Sequence, residues 1–100
     1  MDKVYIVLQE SNCDGQILIE VTPCADLETA KKTMQDEIST LLTESNKYSG
    51  LDLDEIEKEQ EDGDCDYTLE RNNTSFYLSC NYDDYYEHIS IMEKEIVKMG

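Results

Sequence analysis

The apolar residues Leu27, Ala30, Met34, Ile38, Leu41 and Leu42 recur at helical spacing, a single stripe on a 3.6-residue period. A helix of this kind is stable only if something flat covers the stripe, and the flanking sequence supplies it. Before the stripe, Val4, Ile6 and Leu8 alternate with Tyr5, Val7 and Gln9, and Ile17, Ile19 and Val21 alternate with Leu18 and Glu20. A period of two marks strands. Asp14 and Gly15 between these runs favour a hairpin, because both residues tolerate positive φ. Pro23 has no N–H to give a ladder and is expected to end the second strand. Asp26 is placed to cap the helix by accepting from first-turn amides, and Glu28 suits its positive end.

Alternation resumes after the helix. Tyr67 and Leu69 oppose Asp66, Thr68 and Glu70 over residues 65–71, and Asn72 and Asn73 make a turn. Residues 74–81 return with Phe76, Leu78 and Cys80 inward and Tyr77 outward. Residues 85–93 place Ile89 and Ile91 on one face, followed by a frayed or short helical tail. The expected fold is a single α+β domain over residues 1–100, an antiparallel sheet with one amphipathic helix packed across it, in the order ββαβββ.

The segment from Asp52 to Asp66 holds nine carboxylates and one lysine, in a chain of net charge −16. Such repulsion opposes compaction but favours solubility, and it attracts positive partners. Leu51, Leu53 and Ile56 are its only aliphatic anchors. Residues 50–64 therefore read as an exposed acidic insertion, either a mobile loop or a short helix near residues 54–60 that is weakened by Glu55 and Glu59 at i, i+4. Alternate carboxylates at Asp62, Asp64 and Asp66, or at Asp52 and Asp54, would repeat every ~6.8 Å on a strand. Duplex DNA advances about 3.4 Å per nucleotide on each strand, so the two spacings are of the same order.

Several classes of function are disfavoured. The four cysteines include no CxxC pair, and His88 is the sole histidine, so zinc spacings are absent. Reduced, structural thiols are expected. An EF-hand register centred on Gly63 puts Lys58 at its first position and Leu69 at its twelfth, which fails at both ends; an irregular calcium site at Asp62, Asp64 and Asp66 is the alternative. No phosphate-binding glycine loop exists, and with 24 acids in the chain no carboxylate pair singles itself out for catalysis. Eight basic residues are too few and too scattered for phosphate contacts. No catalytic residue, cofactor or metal, no direct nucleic-acid binding and no membrane association is expected. MDKVYIVLQE enters a strand pattern at once, so the expected location is cytoplasmic. In the run NYDDYYEHI, tyrosines that offer large rigid contact area interleave with carboxylates suited to arginine.

A strongly acidic chain of 100 residues with a small α+β fold and tyrosines among its carboxylates resembles the DNA-mimic and anti-CRISPR inhibitors encoded by phages and mobile elements. The resemblance covers size and charge and includes no diagnostic motif, so no family residue is carried over. It implies a non-enzymatic inhibitor that occupies a basic, nucleic-acid-binding groove of a nuclease or other host defence protein. The expected contacts are Asp52, Asp54, Glu55, Glu59, Glu61, Asp62, Asp64 and Asp66, with Tyr82, Asp83, Asp84, Tyr85, Tyr86 and Glu87 as a second surface. The alternatives are a small adaptor domain with a solvated acidic loop, and a calcium-binding module.

Overall fold

The computed structural model describes residues 3–13, 15–44, 48–63, 65–80 and 85–95. Along the chain come β1 (Lys3–Cys13), β2 (Gln16–Cys24), α1 (Leu27–Glu44), α2 (Leu53–Glu61), β3 (Tyr67–Arg71), β4 (Ser75–Cys80) and β5 (Tyr85–Glu95). The strands form one antiparallel sheet in the order β2-β1-β5-β4-β3. Two hairpins, β1–β2 and β3–β4, are thus joined by the last strand, which pairs with β1 on one side and β4 on the other. The fold is α+β and antiparallel, as expected, but the order is ββααβββ because the acidic segment contributes a second helix.

α1 begins where Asp26 accepts a hydrogen bond from the Thr29 amide at 2.7 Å. That bond holds the Asp26 carboxyl below its usual range. Ala30, Met34, Ile38 and Leu41 are buried along one side of the helix and share one core cluster with Val7, Ile89, Leu78 and Phe76 of the sheet. Burying each large apolar side chain is worth roughly 1.5–3 kcal/mol, so this seam is the main source of stability. Tyr48, 3 % exposed, closes the core between the helices.

Strand parity sorts every sheet residue onto one of two faces. The covered face takes Val7, Gln9 and Ser11 from β1, Glu20 and Cys24 from β2, Leu78 from β4 and Glu87, Ile89 and Ile91 from β5, following continuous registers. The opposite face takes Ile6, Leu8 and Glu10, with Ile17, Ile19 and Val21 beside them and Tyr86, His88 and Met92 beyond. Both helices pack toward the covered face, through α1 on β1, β2 and β5 and α2 on β3.

Two expectations are corrected, and one open alternative is decided in favour of the helix. β2 runs through Pro23, which pairs with Ile6; β2 is an edge strand, where a missing N–H interrupts no ladder. β1 and β5 each extend to 11 residues, beyond the expected ranges. The acidic segment is an ordered helix of nine residues with buried Leu53 and Ile56. The expected tail at 96–100 lies outside the described residues.

Candidate partner-binding surface

Local chemistry explains why α2 forms despite its charge. Asp52 is its N-cap, with a carboxylate that accepts from the Asp54 and Glu55 amides at 3.0 and 3.4 Å. Asp54 and Glu55 themselves lie in the first turn, where the helix dipole favours negative charge. Leu53 and Ile56 face the core, and Gln60, one turn further on, completes the stripe with a polar group. Its amide brackets Leu69 of edge strand β3, accepting from the backbone N–H at 2.7 Å and donating to the carbonyl at 3.1 Å. Gly63 ends the helix at φ +82°, with its N–H on the Gln60 carbonyl at 3.0 Å.

The expected acidic contacts are therefore helical. Asp52 and Asp54 do not step along a strand, and Asp62 is the C-cap of α2; Asp66 lies in a bend before β3. Asp64 falls outside the described residues. Strand-like phosphate spacing is not the geometry of this segment. Arg71 from β3 engages two carboxylates at once, Asp54 at 2.6 Å and Glu57. Glu55, Glu59 and Glu61 remain exposed, with Glu55 and Glu59 beside a shallow groove that also meets Leu51, Ile56 and Tyr67.

The tyrosine-rich run is divided by its strand. Tyr82, Asp83 and Asp84 lie outside the described residues. Tyr85 packs against the core on the covered face, whereas Tyr86 points to the open face. There it donates to Glu10 at 2.8 Å and stacks on Tyr77, with ring centroids 6.1 Å apart. Glu87 returns to the covered side, half-buried, and accepts from the Ser11 hydroxyl. Consecutive residues on a strand cannot share a face, so these three do not form one contact surface.

A second acidic feature was not foreseen. Glu20, Asp36, Glu37, Glu44 and Glu87 line a cleft of about 430 Å³ with Gln9, Thr40 and Leu41 between α1 and the sheet. One carboxylate oxygen of Glu37 is buried without a hydrogen-bond partner among the described residues. Burial and then the charge of Glu20 push the Glu37 carboxyl up; burial does the same for Glu87, against the bond from Ser11. The clue lay in parity, since Glu20 alternates in phase with Cys24 and Glu87 with Ile89. Both were bound to face the helix.

No three His, Cys, Asp or Glu side chains converge as metal ligands among the described residues. None of the four cysteines is joined in a disulfide among the described residues. No helix of the described residues is long and apolar enough to cross a membrane. No family model, curated protein or solved structure matches the chain.

Proposed function

We propose that the chain is a non-enzymatic inhibitor whose acidic, helix-bearing face binds a basic nucleic-acid-binding groove on a nuclease or other host defence protein, in competition with DNA or RNA. The observation that carries this reading is the segregation of charge. Among the described residues the cations that meet carboxylates are Lys3, on Glu93, and Arg71, on Asp54 and Glu57. Glu55, Glu59 and Glu61 on α2 and the cleft carboxylates beside α1 have no such partner. They sit on helices and strands, so a basic groove meets a fixed array rather than a floppy chain.

Capture from a host lysate at low salt, eluted by a salt gradient, identifies the target. Binding falls steeply as salt rises, because surface charges are screened beyond ~8 Å at physiological ionic strength. DNA or RNA displaces the chain. The combined substitution Glu55→Gln, Glu59→Gln, Glu61→Gln weakens binding by about tenfold or more at low salt and leaves the melting temperature no lower. Affinity indifferent to salt and to these substitutions would make the chain an adaptor that recognises its partner by a sheet edge or helix. A saturable melting-temperature rise with millimolar calcium would instead make it a calcium-binding module.

A further inference from the structure

β2 gathers exposed apolar side chains on both of its faces. Ile17, Leu18, Ile19 and Val21 are each more than half exposed. Glu20 is the one charge among the nine residues of the strand, in a chain with 24 acids. Ile17, Ile19 and Val21 lie on the open face and Leu18 on the helical one, so a partner laid over either face would leave the other wet. β2 is also an edge strand, and a single hydrogen bond across the sheet identifies its outward backbone groups. Ile91 of β5 donates its N–H to the Thr74 carbonyl at 2.8 Å, away from β1. Backbone groups on an antiparallel strand alternate in direction from one residue to the next. Carried through the registers, this phase turns Leu18, Glu20 and Thr22 toward β1 and Ile17, Ile19 and Val21 outward. The same phase turns Leu69 outward on β3, where Gln60 meets both of its backbone groups. No described residue does so for β2. Pro23 shares the outward phase, so its missing N–H is not one that β1 needs.

We infer that β2 pairs edge to edge with β2 of a second copy, antiparallel about a two-fold axis at Ile19, to make one ten-stranded sheet. A neighbouring strand brings side chains alongside on both faces, as the exposure of both requires. With the axis at Ile19, Ile19 faces its own copy and Ile17 faces Val21, so the outward N–H and C=O groups of all three bond reciprocally. Each of these pairs sets an apolar side chain against another. The next pair along is Gly15 with Pro23, and neither has a donor to spare: the Gly15 N–H bonds the Asn12 side chain at 3.2 Å, and proline has none. An axis at Glu20 would set the two glutamates opposite each other, which is unfavourable. An axis at Leu18 would leave Val21 facing Gly15, which offers no side chain. Charge selects a copy over a basic partner, because a basic strand would find on β2 only Glu20, and Glu20 is turned into the cleft. The strand that fits is apolar on both faces and nearly uncharged, and β2 is itself such a strand. The two α2 helices, each on β3, then stand at opposite ends of the joint sheet, roughly 43 Å apart at about 4.8 Å per strand. That is several screening lengths, so the densest like charges oppose the pairing least.

Sedimentation equilibrium of the isolated chain under reducing conditions tests this without any target. The wild type is dimeric at micromolar concentration and tightens as salt rises, because screening weakens the repulsion between two acidic chains. Ile19→Pro removes an outward N–H and leaves the β1 ladder whole. It raises the dimer dissociation constant on the order of a hundredfold, since the two-fold axis loses that bond twice. Met92→Glu, on the open face but two strands in from the edge, leaves the constant unchanged. Circular dichroism of each variant establishes that it is folded. Hydrogen exchange of the wild type needs no variant: the Ile17, Ile19 and Val21 amides gain protection as concentration rises, whereas Leu18 and Glu20, bonded to β1, are protected throughout. A wild type that stays monomeric in high salt overturns the proposal. So does a dimer that Met92→Glu breaks and Ile19→Pro does not, or one whose Ile17, Ile19 and Val21 amides exchange as fast as in dilute solution.

Discussion

Tyr48 shows how a single side chain can be sequestered at a cost. It is 3 % exposed, and its hydroxyl has no hydrogen-bond partner among the described residues. Burial, and then the charge of Glu87, push the phenol far above its usual range. A buried donor without an acceptor costs about 1–3 kcal/mol. Tyr48→Phe therefore raises the unfolding free energy by about 1 kcal/mol, as read by urea denaturation. Glu37 and Glu87 make a second residue-scale case. Their carboxyls bind protons more tightly in the folded chain than in the unfolded one. The stability this linkage brings is fully present below the ordinary carboxyl value and is lost as pH rises through the raised folded values. Asp26 runs the other way: its contribution is present above its unfolded value and is lost in stronger acid. The melting temperature thus rises as pH falls from neutral toward the ordinary glutamate range. Glu37→Gln flattens part of that rise and stabilises the neutral-pH protein by less than about 1 kcal/mol, because solvent screens most of this carboxylate. A melting temperature that falls steadily from neutral pH downward would contradict the assignment.

At the scale of elements, the two edges of the sheet are treated differently. β3 has its outer edge occupied by the Gln60 amide, which bonds both backbone groups of Leu69 as a neighbouring strand would. β2 has no such cover among the described residues, although exposed strand edges invite further pairing. Gln60→Ala strips both bonds and leaves a part-buried N–H without its acceptor. Unfolding free energy drops by about 1–3 kcal/mol, and hydrogen exchange accelerates at the Leu69 amide more than at Val7. Equal acceleration at both sites would mean that Gln60 acts on global stability alone. α2 was hard to read for the same reason. Two aliphatic anchors look insufficient until the polar third member of the stripe is seen to bond the sheet.

For the molecule as a whole, the two sides of the sheet differ in degree, since Leu18, 65 % exposed, is on the helical side and Glu10, Glu70 and Lys94 are on the open one. The uncompensated carboxylates of α1 and α2 lie on the helical side, and the exposed isoleucines lie on the other. If the helical face binds a basic target as proposed, its affinity falls as salt rises. A salt series of target affinity checks this, since a target held by apolar sheet surface would bind no more weakly in high salt.

Periodicity alone determined α1, the inward set of Phe76, Leu78 and Cys80, and the outward placement of Tyr77, because side-chain direction follows from the repeat of a helix or strand; it did not determine which face of β1 is covered. Composition determined that the chain would present an excess of negative charge. Only the tertiary structure decided that β5 lies between the hairpins and that Pro23 can remain in an edge strand. It also decided that Arg71 would offset Asp54 and Glu57, and that Glu20 and Glu87 would meet Glu37 in one cleft. These outcomes depend on strand order and on contacts between residues far apart in the chain, and local spacing carries no information about either.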